Sequence, residues 1–347
     1  MKTSTKFNLL FTMKQLIILT FLIAVTSLSA RSMKKNNLNN SGTNFTAAGG
    51  DTNVTDNNKL KQGFWMERNG TYAWEGNYIS DKREGTWVAY IFGSPMVTFI
   101  ENYRDGKKNG VSLAVDRAGY IFKQENYKGD SLDGVYKTFY TGGRLKSEDV
   151  YKNGKLNGLR KYYTNNNKIQ EEGYFKDGVR EGLAKWYFTD GKLNTESIYK
   201  NGDLEGKMTT YYSNGKKSSE VFFEKNEMEG SYIEYYENEK IKTKGTYVHS
   251  IEEGLWISNY ENEKTYESGK YIKGKREGVW TQITEDGKTT VKLKYKTGIL
   301  ISGTPIERKV LPAVTPNTPA APAQLKPVTT PKINKDSEFE KKPAPRN

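Results

Sequence analysis

The sequence predicts an all-β fold in which tandem β-hairpin repeats, each of about 24 residues, form one elongated, twisted antiparallel sheet. Three observations lead to this prediction. A glycine recurs at a fixed interval, two turn signals occur in each interval, and aromatic residues, above all tyrosine, occupy equivalent positions between the turns. Two turns in each interval leave room for two strands and exclude helices.

The repeat glycines set the interval. Every step from Gly110 to Gly278 is 24 residues long, and less regular steps extend the series to Gly63 and Gly303. The array is therefore predicted to span residues 61–303 with about ten repeats. Positions in a repeat are counted here from its glycine. The structural repeat glycines are Gly110, Gly134, Gly158, Gly182, Gly206, Gly230, Gly254 and Gly278.

Each repeat carries two turn signals, at positions +8/+9 and +19/+20. Asn-Gly and Asp-Gly favour two-residue type I′ hairpin turns, because both central residues of such a turn need a positive φ. The sequence predicts this turn at both places. The signals include Asp190-Gly191 and Asn214-Gly215 at the first turn, and Asn153-Gly154 and Asn201-Gly202 at the second.

These turns predict the register of each hairpin. A two-residue loop at +8/+9 places +6 opposite +11, as in Tyr140 and Leu145. It also places +2 opposite +15, which pairs Tyr232 with Gly245 and Trp256 with Gly269. An aromatic ring across from a strand glycine compensates for the missing side chain. A tyrosine or phenylalanine at +17 completes an aromatic ladder between strands.

The two ends of the chain differ from the array. Residues 1–30 combine Lys14, a short apolar run and small residues up to Ala30, which indicates a signal peptide and an exported protein. Residues 31–60 are an Asn/Thr/Ser-rich linker, and residues 304–347 hold nine of the ten prolines and form a Pro/Lys-rich tail. We predict that both segments are disordered.

Composition excludes several classes of function. The net charge is +13, but residues 61–303 hold 39 basic and 35 acidic residues, so the excess lies mainly in the flanks. That distribution argues against nucleic-acid binding, which needs a basic face on the folded part. The chain has no cysteine and one histidine, and no motif for phosphate or zinc binding or for a catalytic nucleophile occurs in it. We therefore expect no catalytic residues, no metal and no cofactor.

The repeat pattern resembles the MORN repeat family in its bacterial variant form. Residues 182–191, then Tyr199 to Gly202, then Glu205-Gly206 carry the pattern, and it recurs from Gly206. The resemblance covers about residues 61–303, with a departure where Val115-Asp116 replaces the aromatic pair. It implies a row of β-hairpins, roles in protein assembly and, in some members, membrane association. Bacterial relatives are often labelled antitoxins, and the family shares no catalytic residues.

Two polar features have structural interpretations. Glutamate precedes the repeat glycine in six units, and recurrence at one position favours a role in a turn, beside backbone donors or a neighbouring cation. His249 falls at a turn, where we expect a solvated side chain. The six glutamates are Glu84, Glu181, Glu205, Glu229, Glu253 and Glu277.

The aromatic residues at +5 and +6 are the candidate binding surface. They fall on both faces of their strand, and a single-layer sheet cannot bury both faces, so some rings should be accessible. Tyrosine-rich surfaces favour contacts with proteins or glycans. The alternative is that these rings only brace the sheet. The candidates are Phe139, Tyr140, Tyr163, Tyr187, Tyr211, Tyr212, Tyr235 and Tyr236.

The sequence therefore predicts an exported, non-enzymatic repeat protein that binds another protein or acts as a scaffold. One alternative is association with an anionic membrane or cell-wall surface through the basic flanks. Another is antitoxin-like neutralisation, which fits an export signal poorly. Self-association through the exposed edges of the sheet is also open.

Overall fold

A computed structural model describes residues 52–306, and within this range the chain forms antiparallel strands and no helix. The predicted fold class, an antiparallel sheet built from tandem hairpins, is confirmed. The chain divides between Glu172 and Gly173 into two compact units, here unit 1 and unit 2. The predictions for residues 1–51 and 307–347, which cover the signal peptide, most of the linker and most of the tail, concern segments outside the described residues.

Unit 1 contains thirteen complete strands and the beginning of a fourteenth. Successive strands pair antiparallel. The strands are β1 (Val54–Thr55), β2 (Lys61–Asn69), β3 (Tyr72–Ile79), β4 (Lys82–Ile91), β5 (Val97–Arg104), β6 (Lys107–Lys108), β7 (Gly110–Val115), β8 (Ile121–Lys128), β9 (Ser131–Leu132), β10 (Gly134–Phe139), β11 (Leu145–Lys152), β12 (Lys155–Leu156), β13 (Gly158–Tyr163) and β14 (Ile169–Lys176).

Unit 2 begins within β14 and repeats the same design. Its later strands are also antiparallel to their neighbours. They are β15 (Val179–Tyr187), β16 (Leu193–Lys200), β17 (Asp203–Leu204), β18 (Gly206–Tyr211), β19 (Lys217–Glu224), β20 (Glu227–Tyr235), β21 (Ile241–Val248), β22 (Ile251–Asn259), β23 (Thr265–Ile272), β24 (Lys275–Ile283), β25 (Thr290–Lys296) and β26 (Ile299–Ser302).

The second turn of each repeat is the predicted two-residue turn. Asn201 and Gly202 have φ values of 52° and 92°, and His249 and Ser250 have φ values of 49° and 63°. Two consecutive positive φ values define a type I′ turn, whose twist matches that of the flanking strands. This turn also forms where glycine is absent, because tight strand pairing on both sides holds the conformation.

In the seven repeats from Gly110 to Gly254, the first turn differs from the prediction, because it is a three-residue loop. In the hairpin after Gly182, Phe188 N–H donates to the carbonyl of Lys192, and Gly191 N–H donates to the carbonyl of Phe188. Only Gly191 has a positive φ, at 89°, whereas Asp190 does not. This pattern is a type I turn followed by a left-handed residue, the usual three-residue hairpin loop.

The longer loop changes the register close to the turn. Position +5 lies opposite +11, as in Phe139 and Leu145, so the predicted pairing of Tyr140 with Leu145 is wrong. A β-bulge at +12 then restores the predicted register, and Tyr232 lies opposite Gly245 as expected. Trp256 likewise lies opposite Gly269. The bulge absorbs the extra loop residue within one strand.

The contacts of these strand glycines differ from the prediction. A Cβ built on Gly245 would lie 2.1 Å from Trp256 Cδ2, and one built on Gly269 would lie 2.0 Å from Trp280 Cδ2. The ring that covers each glycine therefore belongs to the following repeat, and is not the residue paired with it inside its own hairpin. The glycines connect neighbouring repeats through ring-to-backbone contact.

Each unit has its own aromatic cluster. In unit 2, Trp256, Trp280 and Leu293 are buried, and tyrosines at +17 pack around them. Tyr271 meets both tryptophans edge to face, with ring centroids 5.8 and 5.0 Å away. In unit 1 the buried cluster is Trp74, Tyr78, Trp87 and Ala89. The predicted aromatic ladder at +17 is present and forms part of the core.

Candidate binding surface

The strands of unit 2 present two unlike faces. One, here the ring face, carries positions +2, +4, +13, +15 and +17 and holds Trp256, Trp280 and Leu293. The other, here the tyrosine face, carries +1, +3, +5, +14 and +16, and its +5 residues are Tyr187, Tyr211 and Tyr235. Side chains alternate between the faces along each strand.

The tyrosines at +6 tie one repeat to the next. Tyr212 OH donates to the carbonyl of Tyr235 at 2.5 Å, and Tyr236 OH donates to the carbonyl of Asn259 at 2.8 Å. In unit 1, Tyr140 OH donates to the carbonyl of Tyr163 at 2.7 Å. Each bond reaches 23 residues along the chain to the +5 carbonyl of the following repeat. These three candidates brace the sheet through their hydroxyl groups.

The tyrosines at +5 bond instead to glutamates on the tyrosine face. Tyr211 OH donates to Glu196 Oε1 at 2.7 Å, and Tyr235 OH donates to Glu220 Oε2 at 2.9 Å. Burial, and then the bond to the carboxylate, raise the pKa of Tyr211, and the same causes raise the pKa of Tyr235 to about 12. Both hydroxyls therefore stay protonated in neutral solution. The rings remain half-buried.

Glu220 is the electrostatic centre of this face. It accepts hydrogen bonds from Lys217 Nζ at 2.8 Å, Lys207 Nζ at 3.0 Å and the Tyr235 hydroxyl. The bond from Lys217 is the largest cause that lowers its pKa, and Lys207 and Tyr235 add to it, which brings the value to about 2. The carboxylate is charged in neutral solution and holds three side chains in one arrangement.

The remaining candidates are also half-buried. Phe139 lies opposite Leu145 in unit 1, and Tyr187 lies opposite Leu193 in unit 2. Burial raises the pKa of Tyr163, whose carbonyl receives the Tyr140 bond. The structure thus distributes the eight candidates over two units, and five of them bond through the hydroxyl in one of two ways.

Exposed aliphatic and aromatic residues accompany the tyrosines of unit 2. Leu183, Ile198 and Phe222 are 40%, 45% and 42% exposed, and they occupy positions +1 and +16 of the tyrosine face. Sequence reasoning missed them, because it followed tyrosine and not the alternation along each strand. The strict two-residue period from +5 back to +1 was the signal that could have identified Leu183.

The glutamates before the repeat glycines have the expected turn role. Each accepts a hydrogen bond from the backbone N–H of the first residue in a neighbouring type I′ turn. Representative distances are 2.7 Å from Asn201 N to Glu181 Oε2 and 2.8 Å from Lys273 N to Glu253 Oε2. The same bond is made by Glu84, Glu205, Glu229 and Glu277. The carboxylate thereby links the strand that carries it to the turn that follows the paired strand of the same hairpin.

His249 is the first residue of such a turn and has a φ of 49°. Its side chain is exposed, and Nδ1 lies 2.8 Å from Glu227 Oε2, a contact that raises the pKa of the imidazole. Within residues 52–306, no cluster of three or more His, Cys, Asp or Glu side chains is placed to hold a metal ion. The same residues include no helix with the length and apolar character needed to cross a membrane.

Two solved structures similar to this chain differ widely in coverage. A GtfA/B complex bound to UDP and GlcNAc is 12% identical, with 39% of this chain and 22% of that chain covered and a TM-score of 0.14. This chain therefore spans only 22% of that protein's length. A porin-like protein from Bacteroides uniformis is 9% identical, with 71% of this chain and 92% of that chain covered and a TM-score of 0.15. No curated protein matches the sequence.

A family model described as MORN repeat variant matches the middle of the chain. Its matches recur every 24 residues, which agrees with the interval of the repeat glycines. The matched residues are 132–153, 156–177, 180–201, 204–225 and 228–249. Hairpins of the same design continue beyond them, as in the pairing of Gly254 with Tyr271. The chain is thus a repeat protein, and residues 132–249 are five consecutive repeats of the MORN repeat variant family.

Proposed function

We propose that this chain is a non-enzymatic repeat protein that binds another protein through the tyrosine face of unit 2. The observation that carries the proposal is the exposure of Leu183, Ile198 and Phe222 on the face that also holds the half-buried rings of Tyr187 and Tyr211. Apolar side chains exposed together on one face are typical of protein interfaces. On the opposite face, Trp256, Trp280 and Leu293 are buried and are not available to a partner.

The bonding of the tyrosines supports a rigid contact surface. Tyr211 and Tyr235 are held by Glu196 and Glu220, so their rings are ordered before a partner arrives. Ordered aromatic side chains lose little conformational entropy on binding. With the hydroxyl groups engaged internally, the rings contribute apolar area to the contact.

The proposal is tested by substituting the exposed residues and leaving the tyrosines intact. Alanine at Tyr211 or Tyr235 would also break an internal bond, so loss of binding there has two explanations. The triple variant Leu183→Ser/Ile198→Ser/Phe222→Ser changes only exposed side chains. A matched control is Val248→Ser/Ile251→Ser/Ile272→Ser, which alters similarly exposed apolar residues beside the second turns.

We expect wild type and the control to capture the same protein from an envelope extract at about 0.5 M salt, where surface charge is largely screened. The triple variant should lose that protein while its far-UV circular dichroism stays unchanged. Equal capture by the triple variant would refute the proposal. If wild type and both variants capture partners only at low salt, the result would instead favour attachment to an anionic surface.

We also propose that the protein is exported, on the basis of the apolar run from Leu16 to Val25 and the small residues up to Ala30 that follow it. The test is fractionation of bacteria that produce the full chain, with N-terminal sequencing of the exported form. A form that begins shortly after Ala30 in the envelope or medium is expected. Full-length protein confined to the cytosol would contradict export and would leave the binding proposal standing.

A further inference from the structure

The tyrosine face changes charge within unit 2. Position +14 is Glu196 and then Glu220 in the earlier repeats, but it is Lys244 and Lys292 in later ones. Position +16 changes in the same direction, from apolar residues to lysine. Lys270 and Lys294 occupy that position, where Ile198 and Phe222 stand earlier. The face therefore becomes basic towards its C-terminal repeats.

These lysines differ from the earlier ones in having no ionic partner. Lys207 and Lys217 both bond to Glu220. Lys244, Lys270, Lys292 and Lys294 are exposed, and none forms an ion pair with another residue in the part of the chain that the structure describes. Unpaired ammonium groups on one face create a positive local potential.

The nearest carboxylates on this face are already engaged. Glu277 lies opposite Lys270, but its Oε2 accepts the Thr297 backbone N–H at 2.6 Å. Glu253 accepts the Lys273 backbone N–H at 2.8 Å. Both bonds hold turns in place, and neither carboxylate forms an ion pair with a lysine of this face in the part of the chain that the structure describes.

Exposed apolar residues lie among the lysines. Leu255 lies opposite Lys270 and is 61% exposed, and Val279 lies opposite Lys294 and is 57% exposed. Each of these apolar side chains therefore lies beside an exposed lysine on the same face. We name this surface the lysine patch; it consists of Lys244, Leu255, Lys270, Val279, Lys292 and Lys294.

We propose that the lysine patch binds an extended acidic segment of a partner protein, in which carboxylate and apolar side chains share the face that is turned towards the patch. The carboxylates would pair with the lysines, and the apolar side chains would cover Leu255 and Val279. The patch has no aromatic residue on which a nucleobase could stack. Leu255 and Val279 are separate apolar side chains, each beside a lysine, and this spacing fits individual side chains of a protein segment better than a continuous lipid surface. The inference deepens the proposed function, since it names the chemistry of a protein segment that this face recognises.

The experiment uses the full chain and a short fluorescent peptide in which every second residue is glutamate or leucine in turn, with serine between them, so that both side chains lie on one face of the extended peptide. Its control peptide has glutamine in place of glutamate. Binding is measured by fluorescence anisotropy at about 50 mM and about 500 mM salt. The test variant is Lys270→Glu/Lys294→Glu. The matched control is Lys176→Glu/Lys200→Glu, which makes the same charge change at exposed lysines near the second turns.

We expect the glutamate peptide to bind at least about tenfold more tightly than the glutamine peptide, and more weakly at high salt. Lys270→Glu/Lys294→Glu should weaken binding by about tenfold or more, whereas the control should change it by less than about twofold. Leu255→Ser/Val279→Ser should also weaken binding but preserve its salt dependence.

Three results would overturn the inference. The glutamate peptide could bind no better than its glutamine counterpart, or equally well to Lys270→Glu/Lys294→Glu. Alternatively, vesicles of anionic phosphatidylglycerol could bind in a manner that requires Lys270 and Lys294 while the peptide does not bind at all. None of these results would affect capture of a partner through Leu183, Ile198 and Phe222, so failure here and failure of the proposed function are distinguishable.

Discussion

Replacement of Gly269 by alanine tests how neighbouring repeats pack. The φ of Gly269 is not positive, so alanine meets no backbone strain there. Its Cβ, however, would lie 2.0 Å from Cδ2 of Trp280, and ordinary contact begins near 3.4 Å. The ring would have to retreat by about 1.4 Å, the difference between these distances, for the two groups to fit.

The indole has little freedom to retreat. Trp280 is 3% exposed, and its Nε1–H donates to the carbonyl of Lys270 at 3.2 Å. The guanidinium of Arg276 lies over the indole of Trp280, 4.2 Å from the centroid of that ring. Overpacking of a well-packed site costs about 1–3 kcal/mol in free energy of unfolding. We expect Gly269→Ala to destabilise the protein by that amount.

The sign of the effect should reverse when the ring is absent. Trp280→Ala alone should cost about 3–5 kcal/mol, because it removes a buried tryptophan. In that background Gly269→Ala meets open space and removes a strand glycine, which should stabilise by about 0.5–1 kcal/mol. The coupling free energy between the two sites should therefore be about 1.5–4 kcal/mol.

The assay is urea unfolding of the four proteins of this double-mutant cycle, followed by far-UV circular dichroism. Hydrogen exchange of the Lys270 and Val279 amides gives the local value, because repeat arrays can unfold in steps. The control is Gly254→Ala, where φ is +73° and no atom lies within 4 Å of the added Cβ, so its cost should be independent of Trp280. An equal cost of Gly269→Ala with and without Trp280 would refute the packing argument.

Three further predictions concern the polar contacts. Glu253→Ala should lower the free energy of unfolding by about 1 kcal/mol, because the hydrogen bond from the Lys273 N–H is lost. Glu261→Ala, at an exposed residue with no such bond, should change the free energy of unfolding little. Equal effects of the two substitutions would contradict the role of Glu253 in the turn. The pKa of the Glu220 carboxyl in the folded protein lies below the ordinary value of 4.5, so its contribution to stability is complete above pH 4.5 and is lost as the pH falls towards about 2. An NMR titration should place the midpoint of Glu220 near 2. A midpoint at the ordinary value would argue against the Lys217 and Lys207 contacts. Tyr212→Phe removes only the hydroxyl that bonds the Tyr235 carbonyl and should cost about 0.5–1.5 kcal/mol in urea unfolding, whereas an unchanged midpoint would show that the hydroxyl does not brace the sheet.

Local chemistry made the repeat and its second turn predictable from the sequence. A type I′ turn needs two adjacent residues with positive φ, and Asn201-Gly202 meets this need without help from distant residues. The first turn was mispredicted because Asn-Gly and Asp-Gly serve both loop types. At Asp190-Gly191, the choice depends on whether one or two residues adopt positive φ, and the dipeptide alone does not specify it.

The candidate site was predictable only in part. The tyrosines at +5 and +6 were identified from their recurrence, and the sequence left open whether they bind a partner or brace the sheet. In the structure, the hydroxyls of Tyr212 and Tyr236 donate to backbone carbonyls and brace the sheet. The hydroxyls of Tyr211 and Tyr235 donate to glutamate carboxylates instead. Each bond joins residues at least 15 positions apart. Their geometry depends on the register between repeats, which no local pattern contains.

The sequence by itself determined that this chain is an array of antiparallel hairpins with a 24-residue interval, because turn chemistry and residue alternation act within one repeat. Tertiary structure alone decided how one repeat contacts the next. Trp280 covers Gly269 because strand pairing brings these residues together across the boundary between repeats. Glu253 reaches the Lys273 N–H because strand pairing within one hairpin places the glutamate beside that turn. The same pairing leaves Leu255 and Val279 exposed among lysines. Which side chains are covered is a property of neighbouring strands, and the order of residues along one strand does not contain it.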